Sequence, residues 1–218
     1  MSAAREIILG RIRHALAGPR APRAADYDAI PRGYRRSGVL EAGERLDLFV
    51  SRIEHYDGGV HRCGGAAIAE TIAKALAARG RRRLVVAAGV APEWLPPGFD
   101  WIAEADTTGQ DLDASDGAIT GCSAAIANTG TILLRHAAVD GRRALTLIPD
   151  YHLCVVFADQ VVETVPEGIA RAWGDSESGS GLLLTTISGP SATADIEMTR
   201  IKGVHGPRTL DVVLVNDP

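Results

Sequence analysis

The chain has 218 residues, 46% of them hydrophobic, which suffices for one large domain or for a domain with a small extension. A net charge of -4, arginines spread along the chain and an aromatic content of 5% argue against a nucleic-acid surface and its stacking platforms. Three scattered cysteines, Cys63, Cys122 and Cys154, argue against a disulfide framework and exclude a four-thiolate cluster within one chain.

No apolar run reaches the length of a membrane span. The charges of Arg5 and Glu6 fall where a signal peptide needs an apolar core. A cytoplasmic chain with reduced thiols is therefore expected.

Residues 5–17 read as a helix, with Ile8, Ile12 and Leu16 on one stripe joined by Leu9, and with Gly18-Pro19 as its end. Residues 18–38 hold several prolines and arginines and read as an irregular arm or a solvated linker. The expected division is residues 1–40 as helix and arm, then residues 41–218 as the main domain. Within that domain, residues 41–55 form a helix that buries Leu46, Phe49, Val50 and Ile53. A short strand at 58–61 and an alanine-rich helix at 65–79 follow, the helix stopped by Gly80. Arg81, Arg82 and Arg83 make a solvated corner leading into a strand at 84–87. A loop at 92–97 and a short strand at Trp101-Ile102 continue the alternation. This pattern predicts an α/β fold with a central mixed, largely parallel sheet flanked by helices.

The second half carries more turns. Residues 116–121 read as a strand ending in a glycine turn, and 123–127 as one helical turn. Residues 128–131 form a tight turn with Gly130 at its tip. Strands are expected at 131–134 and 144–148, joined as an antiparallel pair because Asp140-Gly141 is a hairpin signal. Residues 149–152 interrupt, 153–157 resume as strand, and 164–173 form a helix with Pro166 in its first turn. Residues 174–181 read as a flexible loop, 182–187 as a buried strand and 209–215 as the last strand.

One corner stands out. The apolar run 182–187 breaks at Ser188-Gly189-Pro190-Ser191, where Gly189 is free of side-chain restriction and Pro190 lacks an N–H. Ser191 or Thr193 then reads as the N-cap of a short helix with Asp195 and Glu197 in its first turns. Such a corner aims backbone N–H groups at one point, which suits a carboxylate or a phosphate. The plainer reading is a turn with a cap.

The candidate ligand or anion contacts are therefore Ser188, Gly189, Ser191 and Thr193, with Thr120, Gly121, Asn128, Thr129, Gly130 and Thr131 from the earlier glycine turns. His205, between glycine turns, is either a general base or proton donor, or a loop holder. Asp195 and Glu197 are acid/base candidates or capping groups. Asp150 and His152 share a face if their strand is regular, so the carboxylate could orient the imidazole. Cys122 reads as a small buried hydrophobe or a reactive thiol. No residue spacing demands a metal.

These motifs carry a resemblance. Residues 116–162, from Asp-Gly-Ala-Ile-Thr-Gly through Pro-Asp-Tyr-His-Leu-Cys-Val-Val, resemble the central signature of the LUD domain family. So do Ser-Gly-Pro-Ser-Ala-Thr-Ala-Asp-Ile-Glu at 188–197 and Gly-Val-His-Gly-Pro at 203–207. Residues 8–13 and 31–34 fit the lactate-utilisation protein C group of that family, also called LutC or YkgG. The resemblance implies a fold similar to the NagB/RpiA/CoA-transferase-like superfamily. It also implies a role in oxidising L-lactate to pyruvate beside partner proteins that carry iron–sulfur and cysteine-rich motifs, with no intrinsic cofactor in this chain.

Many relatives carry a glutamate before Thr-Gly-Thr, where this chain has Asn128. An amide is a poor nucleophile, so acyl transfer through that position is disfavoured. Asn128 keeps an NH₂ donor for a carboxylate or carbonyl, or serves only as a turn residue. The competing reading of the whole chain is a stand-alone binding protein or enzyme acting on a CoA thioester, a sugar phosphate or a small acid.

Overall fold

The computed structural model describes residues 3–17, 29–174, 183–194, 200–203 and 205–217. The chain divides into two compact units, Met1–Tyr34 and Arg35–Pro218. In the first, α1 spans Ala3–Leu16.

The second unit is built on a six-stranded sheet. Its strands are β1 (Gly59–Cys63), β2 (Arg83–Val86), β3 (Asp100–Ala103), β4 (Gly117–Thr120), β7 (Tyr151–Phe157) and β12 (Thr209–Val215). Their order is β1-β12-β7-β4-β2-β3, and every pairing is parallel. Side chains of β7 and β12 alternate between two buried environments, as a pleated strand requires. Tyr151, Leu153, Val155, Val213 and Val215 join the cluster under helix α3 (Ile68–Arg79). Cys154, Val156, Leu210, Val212 and Leu214 join the cluster that contains Phe49 and Ile53 of helix α2 (Ala42–His55). Strands covered on both faces explain the unbroken apolar runs in the sequence.

The second cluster also holds one face of a four-stranded sheet of order β8-β5-β6-β9. Its strands are β5 (Ala124–Ile126), β6 (Thr131–Leu134), β8 (Val161–Val162) and β9 (Thr185–Ile187). Helix α5 (Val165–Trp173) packs on its other face, where Ala172 meets Ala124, Ile126 and Leu133. The short helix α4 (Gly109–Asp113) precedes β4 and is capped by Thr108.

Several expectations are corrected. Residues 123–127 are not a helical turn: Ala124, Ala125 and Ile126 form β5, buried between β6 and β8. Cross-strand pairing outweighs the helical preference of alanine there. Residues 144–148 are not a strand, and no hairpin joins them to 131–134. Instead, Asp140 captures Ser123 Oγ and the N–H groups of Arg135 and Ala137, Gly141 N–H bonds back to Ala137, and Arg143–Thr146 make one 3₁₀ turn. Tyr151 and His152 do not interrupt β7 but begin it. The strand after the loop is confined to Thr185–Ile187, with Leu183 exposed; Leu182 lies outside the described residues.

The largest correction concerns the corner. No helix starts at Ser191 among the described residues, and positions 195–199 lie outside them. Residues Ala192–Ala194 form β10, which pairs antiparallel with β11 (Arg200–Lys202). Ser191 is held by distant backbone, its N–H on Pro207 O and its carbonyl accepting from Gly203. These long-range bonds prevail over the local capping signal.

One buried carboxylate ties the main sheet together. Asp211 on β12 is fully buried and accepts two bonds from Arg79 of α3, at 3.1 and 2.9 Å, and one from the Tyr151 hydroxyl of β7 at 2.9 Å. Nε2 of His61 on β1 lies 3.7 Å from it. Burial alone pushes a carboxylic acid up, but the donors of His61, Arg79 and Tyr151 outweigh it and hold Asp211 well below the usual range. Removing the carboxylate leaves the buried Tyr151 hydroxyl unpaired and takes the ion-pair partner from Arg79. Asp211→Ala is expected to lower unfolding free energy by about 3–5 kcal/mol and Tyr151→Phe by about 1.5–3 kcal/mol, read from urea melts.

Candidate functional site

The corner and the 205–207 loop meet over the first residues of β7 and β12. Together they enclose a cleft of ≈ 230 Å³. Ser188, Gly189, Pro190 and Ser191 form one wall, His205, Gly206 and Pro207 another, and Arg143, Thr146, Thr185 and His152 complete it.

Each wall is built by identifiable bonds. Ser188 Oγ lies 2.8 Å from Thr131 Oγ1, which lies 2.7 Å from Thr129 Oγ1. Gly189 has φ +82, and a Cβ there would lie 2.4 Å from Cβ of Tyr56. Glycine is required on both counts. Ser191 Oγ accepts from His205 N–H at 3.1 Å, so it caps a loop rather than a helix.

Arg143 arrives through the turn made by Asp140. Its neighbour Arg142 is drawn away, with its N–H on Glu104 Oε1 at 2.7 Å and its guanidinium on Thr107 O at 2.7 Å. Among the described residues Arg143 itself bonds its own turn, Nη1 to Thr146 Oγ1 at 2.8 Å and to Thr146 O at 3.3 Å. Among the described residues no carboxylate pairs with it. Partial burial draws its pKa below the ordinary value, yet a guanidinium stays cationic at neutral pH.

His152 closes the cleft from the sheet side and is 1% exposed. Its Nε2 lies 2.9 Å from Thr120 Oγ1 on β4, and its Nδ1 is buried without a partner among the described residues. Burial pushes His152 down to about 4, so the ring is neutral at physiological pH.

A second cleft, of ≈ 530 Å³, shares Arg143 with the first and is lined also by Glu104, His136, Ala138, Arg142 and Leu183. His136 divides the two: its Nε2 lies 2.9 Å from Thr185 Oγ1 and its Nδ1 3.0 Å from Gly141 O. Its φ of +59 places a non-glycine residue in the left-handed region at this wall.

Of the sequence candidates, Ser188, Gly189, Ser191, His152 and His205 therefore share one cleft. Thr120 stands behind His152, and Thr129 and Thr131 stand behind Ser188. Gly121, Asn128, Gly130 and Asp150 do not line it. Asn128 is exposed at the β5–β6 turn, where its N–H bonds Glu163 O. Asp150 does not orient His152: it lies outside β7 and pairs with Arg81 and Arg208. Thr193 is placed in β10, and Asp195 and Glu197 lie outside the described residues. Cys122 is buried, and its contact with Cys154 together with burial drives its thiol well up, so it is the small hydrophobe and not a reactive thiolate. Among the described residues no group of three His, Cys, Asp or Glu has the geometry of a metal site.

Arg143, Thr146 and Thr185 were not legible as site residues. The Asp140-Gly141 signal marks a turn nearby, but as a hairpin turn it leaves Arg143 in the connection before a strand at 144–148.

The sequence matches the family model described as LUD domain over residues 64–215. It is 42% identical over 209 residues to "Lactate utilization protein C" of Deinococcus radiodurans, covering 95% of this chain and 93% of that protein. It is 28% identical over 240 residues to "Lactate utilization protein C" of Geobacillus kaustophilus, covering 98% and 96%. Among solved structures it resembles a DUF162 family protein from Deinococcus radiodurans, with TM-score 0.69 and 39% identity, covering 81% of this chain and 99% of that one.

The buried imidazole makes stability depend on pH with a definite sign. The folded state excludes the proton down to about 4, whereas the unfolded chain takes it up near the ordinary histidine value of 6.5. Stability from this group is full above 6.5 and is lost as pH falls toward 4. Between about pH 7 and 5 the expected loss is about 2 kcal/mol. The paired variant Thr120→Val/His152→Leu should remove that loss in urea melts at the two pH values, while Gly189→Ala should destabilise at both.

Proposed function

The chain belongs to the LUD domain family, and on that premise we propose that it is a lactate-utilisation subunit of the protein C type. It serves in oxidation of L-lactate to pyruvate and carries no cluster of its own. Iron–sulfur and cysteine-rich partner proteins supply the redox centres. The end-to-end similarity to a lactate utilization protein C supports the assignment. So do the cysteines: three thiols, two of them buried, fall short of a four-thiolate set.

The structural observation that carries the reading is the cleft. One guanidinium, several hydroxyls and a neutral imidazole converge on a space suited to a small carboxylate. Within this reading Arg143 holds the carboxylate, Ser188 and Ser191 shape the wall, and His205 closes the rim. Asp195 and Glu197, which lie outside the described residues, remain acid/base candidates from the sequence. The exposed Ile8, Ile12 and Leu16 of α1 suit docking onto a partner.

The second cleft favours a second reading, a stand-alone protein that binds a longer ligand such as a CoA thioester or sugar phosphate. Covalent acyl transfer through Asn128 has no support, because that residue lines neither cleft.

Lactate-dependent dye reduction by the two reconstituted partners, with and without this chain, separates the readings. Activity should require the chain, and Arg143→Ala should lower kcat/KM for lactate by about tenfold or more. Full activity without the chain would remove the lactate assignment and leave the stand-alone reading.

A further inference from the structure

The six-stranded sheet has a topological switch point between β2 and β4. Within this sheet the chain leaves β2 for β3 on one side and leaves β4 for β7 on the other. In open parallel sheets, ligands bind in the crevice outside the carboxyl ends of two such strands. Here a glycine follows each strand, Gly121 directly after β4 and Gly89 shortly after β2.

The chain itself fills that crevice. Gly89 N–H donates to Ala138 O at 2.8 Å, and Gly121 N–H donates to Val139 O at 2.9 Å. Two consecutive carbonyl oxygens of one loop thus sit on the glycine amides, as the oxygens of a bound anion would. Neither glycine has a positive φ, so close approach is what demands them. A Cβ at Gly89 would lie 2.6 Å from Val139 N, and one at Gly121 would lie 2.6 Å from Val139 Cγ2.

The loop is held there against two opposing features. The chain enters it at His136, a non-glycine residue with φ +59, and leaves it at Gly141, with φ +70. The His136 ring bridges the neck of the loop through Gly141 O and Thr185 Oγ1. Asp140 is fully buried, and its Oδ2 accepts from Ser123 Oγ and from the N–H groups of Arg135 and Ala137. Its Oδ1 has no partner among the described residues. A left-handed histidine and a half-satisfied buried acid both gain when the loop moves out into water. Little apolar packing opposes that movement, because Ala138 is exposed and Ala137 and Val139 are only half-buried.

We propose that residues 137–141 are an autoinhibitory plug over a latent oxyanion site. The carbonyls of Ala138 and Val139 occupy the site in the closed state. The loop turns outward about His136 and Gly141 to release the amides of Gly89 and Gly121 to an oxyanion such as a phosphate group. Arg143 lines the adjoining second cleft and adds positive charge there, beside Arg142 and its partner Glu104. The inference rests on neither reading given above, since it concerns the site beneath the loop and what uncovers it.

Proton–nitrogen NMR on the full chain tests it, with inorganic phosphate as the probe. His136→Asn keeps a residue that tolerates left-handed backbone but is too short to bridge the neck. Val139→Gly removes the side chain against Gly121 and leaves the carbonyl in place. The apparent affinity for phosphate scales with the open fraction, and so does hydrogen exchange at the covered amides. Each variant should speed exchange at Gly89 and Gly121 by about tenfold and tighten phosphate binding by the same factor. Phosphate should also shift the resonances of these two amides.

Faster exchange without a gain in phosphate affinity, phosphate binding that leaves both glycine amides unshifted, or exchange unchanged in both variants would each overturn the proposal. Loss of the fold in both variants would do the same, because it makes the loop part of the core. Neither glycine lines the first cleft, so these two amides judge the plug while lactate-dependent dye reduction judges the subunit reading.

Discussion

A fully buried carboxylate on the interior strand β12 organises the main unit. Asp211 takes its charge into the core only because Arg79, Tyr151 and His61 surround it from α3, β7 and β1. The space around it is closed: a Cβ at Gly59 would lie 2.0 Å from Asp211 Oδ1. This contact fixes Tyr151 on the α3 face of the sheet. Strand alternation then sends the next side chain, His152, to the opposite face, where the second sheet and the corner lie. The imidazole that closes the cleft is thus placed by a charge on the neighbouring strand, on the other face of the sheet.

The cleft sits beside the first residues of β7 and β12, not at the carboxyl ends where open parallel sheets usually bind ligands. The second sheet accounts for the difference. Its edge strand β9 runs into Ser188–Ser191, and the 205–207 loop returns to begin β12, so a wall stands over the starts of the central strands. The second cleft, reached from the turn after β6 and the ends of β2 and β3, lies nearer the usual place. Arg143 and the Thr185–His136 contact separate the two and belong to both walls. Arg143 lines both clefts.

Legibility in the sequence followed the range of the interactions that fix each element. α2, α3 and α5 and the long buried strands β7 and β12 were visible because periodicity, caps and apolar runs are local properties. Ala124–Ile126 looked helical because alanine favours helices, yet two flanking strands claim its backbone. Ser191 looked like a helix cap, yet Pro207 and Gly203, distant in the chain, take its N–H and carbonyl. Ser188, Ser191 and His205 are candidates from motif and resemblance, but their meeting at one cleft depends on the long-range bonds of the corner. Arg143 was hidden because nothing local shows that Asp140 folds its loop back onto the site. His152 was singled out, but for a partnership with Asp150 that the ion pairs to Arg81 and Arg208 preclude.

The central claim is that His152 is a buried, neutral imidazole in the wall of the cleft that takes the small carboxylate. Nitrogen-15 NMR of the histidine side chains tests it directly, recorded near pH 5.5 with and without saturating L-lactate and pyruvate, and assigned with the paired variant. The account predicts a neutral ring at that pH, in keeping with a value pushed down to about 4 by burial, and a shift of Nδ1 on adding either acid. A ring that is already protonated at that pH, or an Nδ1 resonance that neither acid moves, would contradict it.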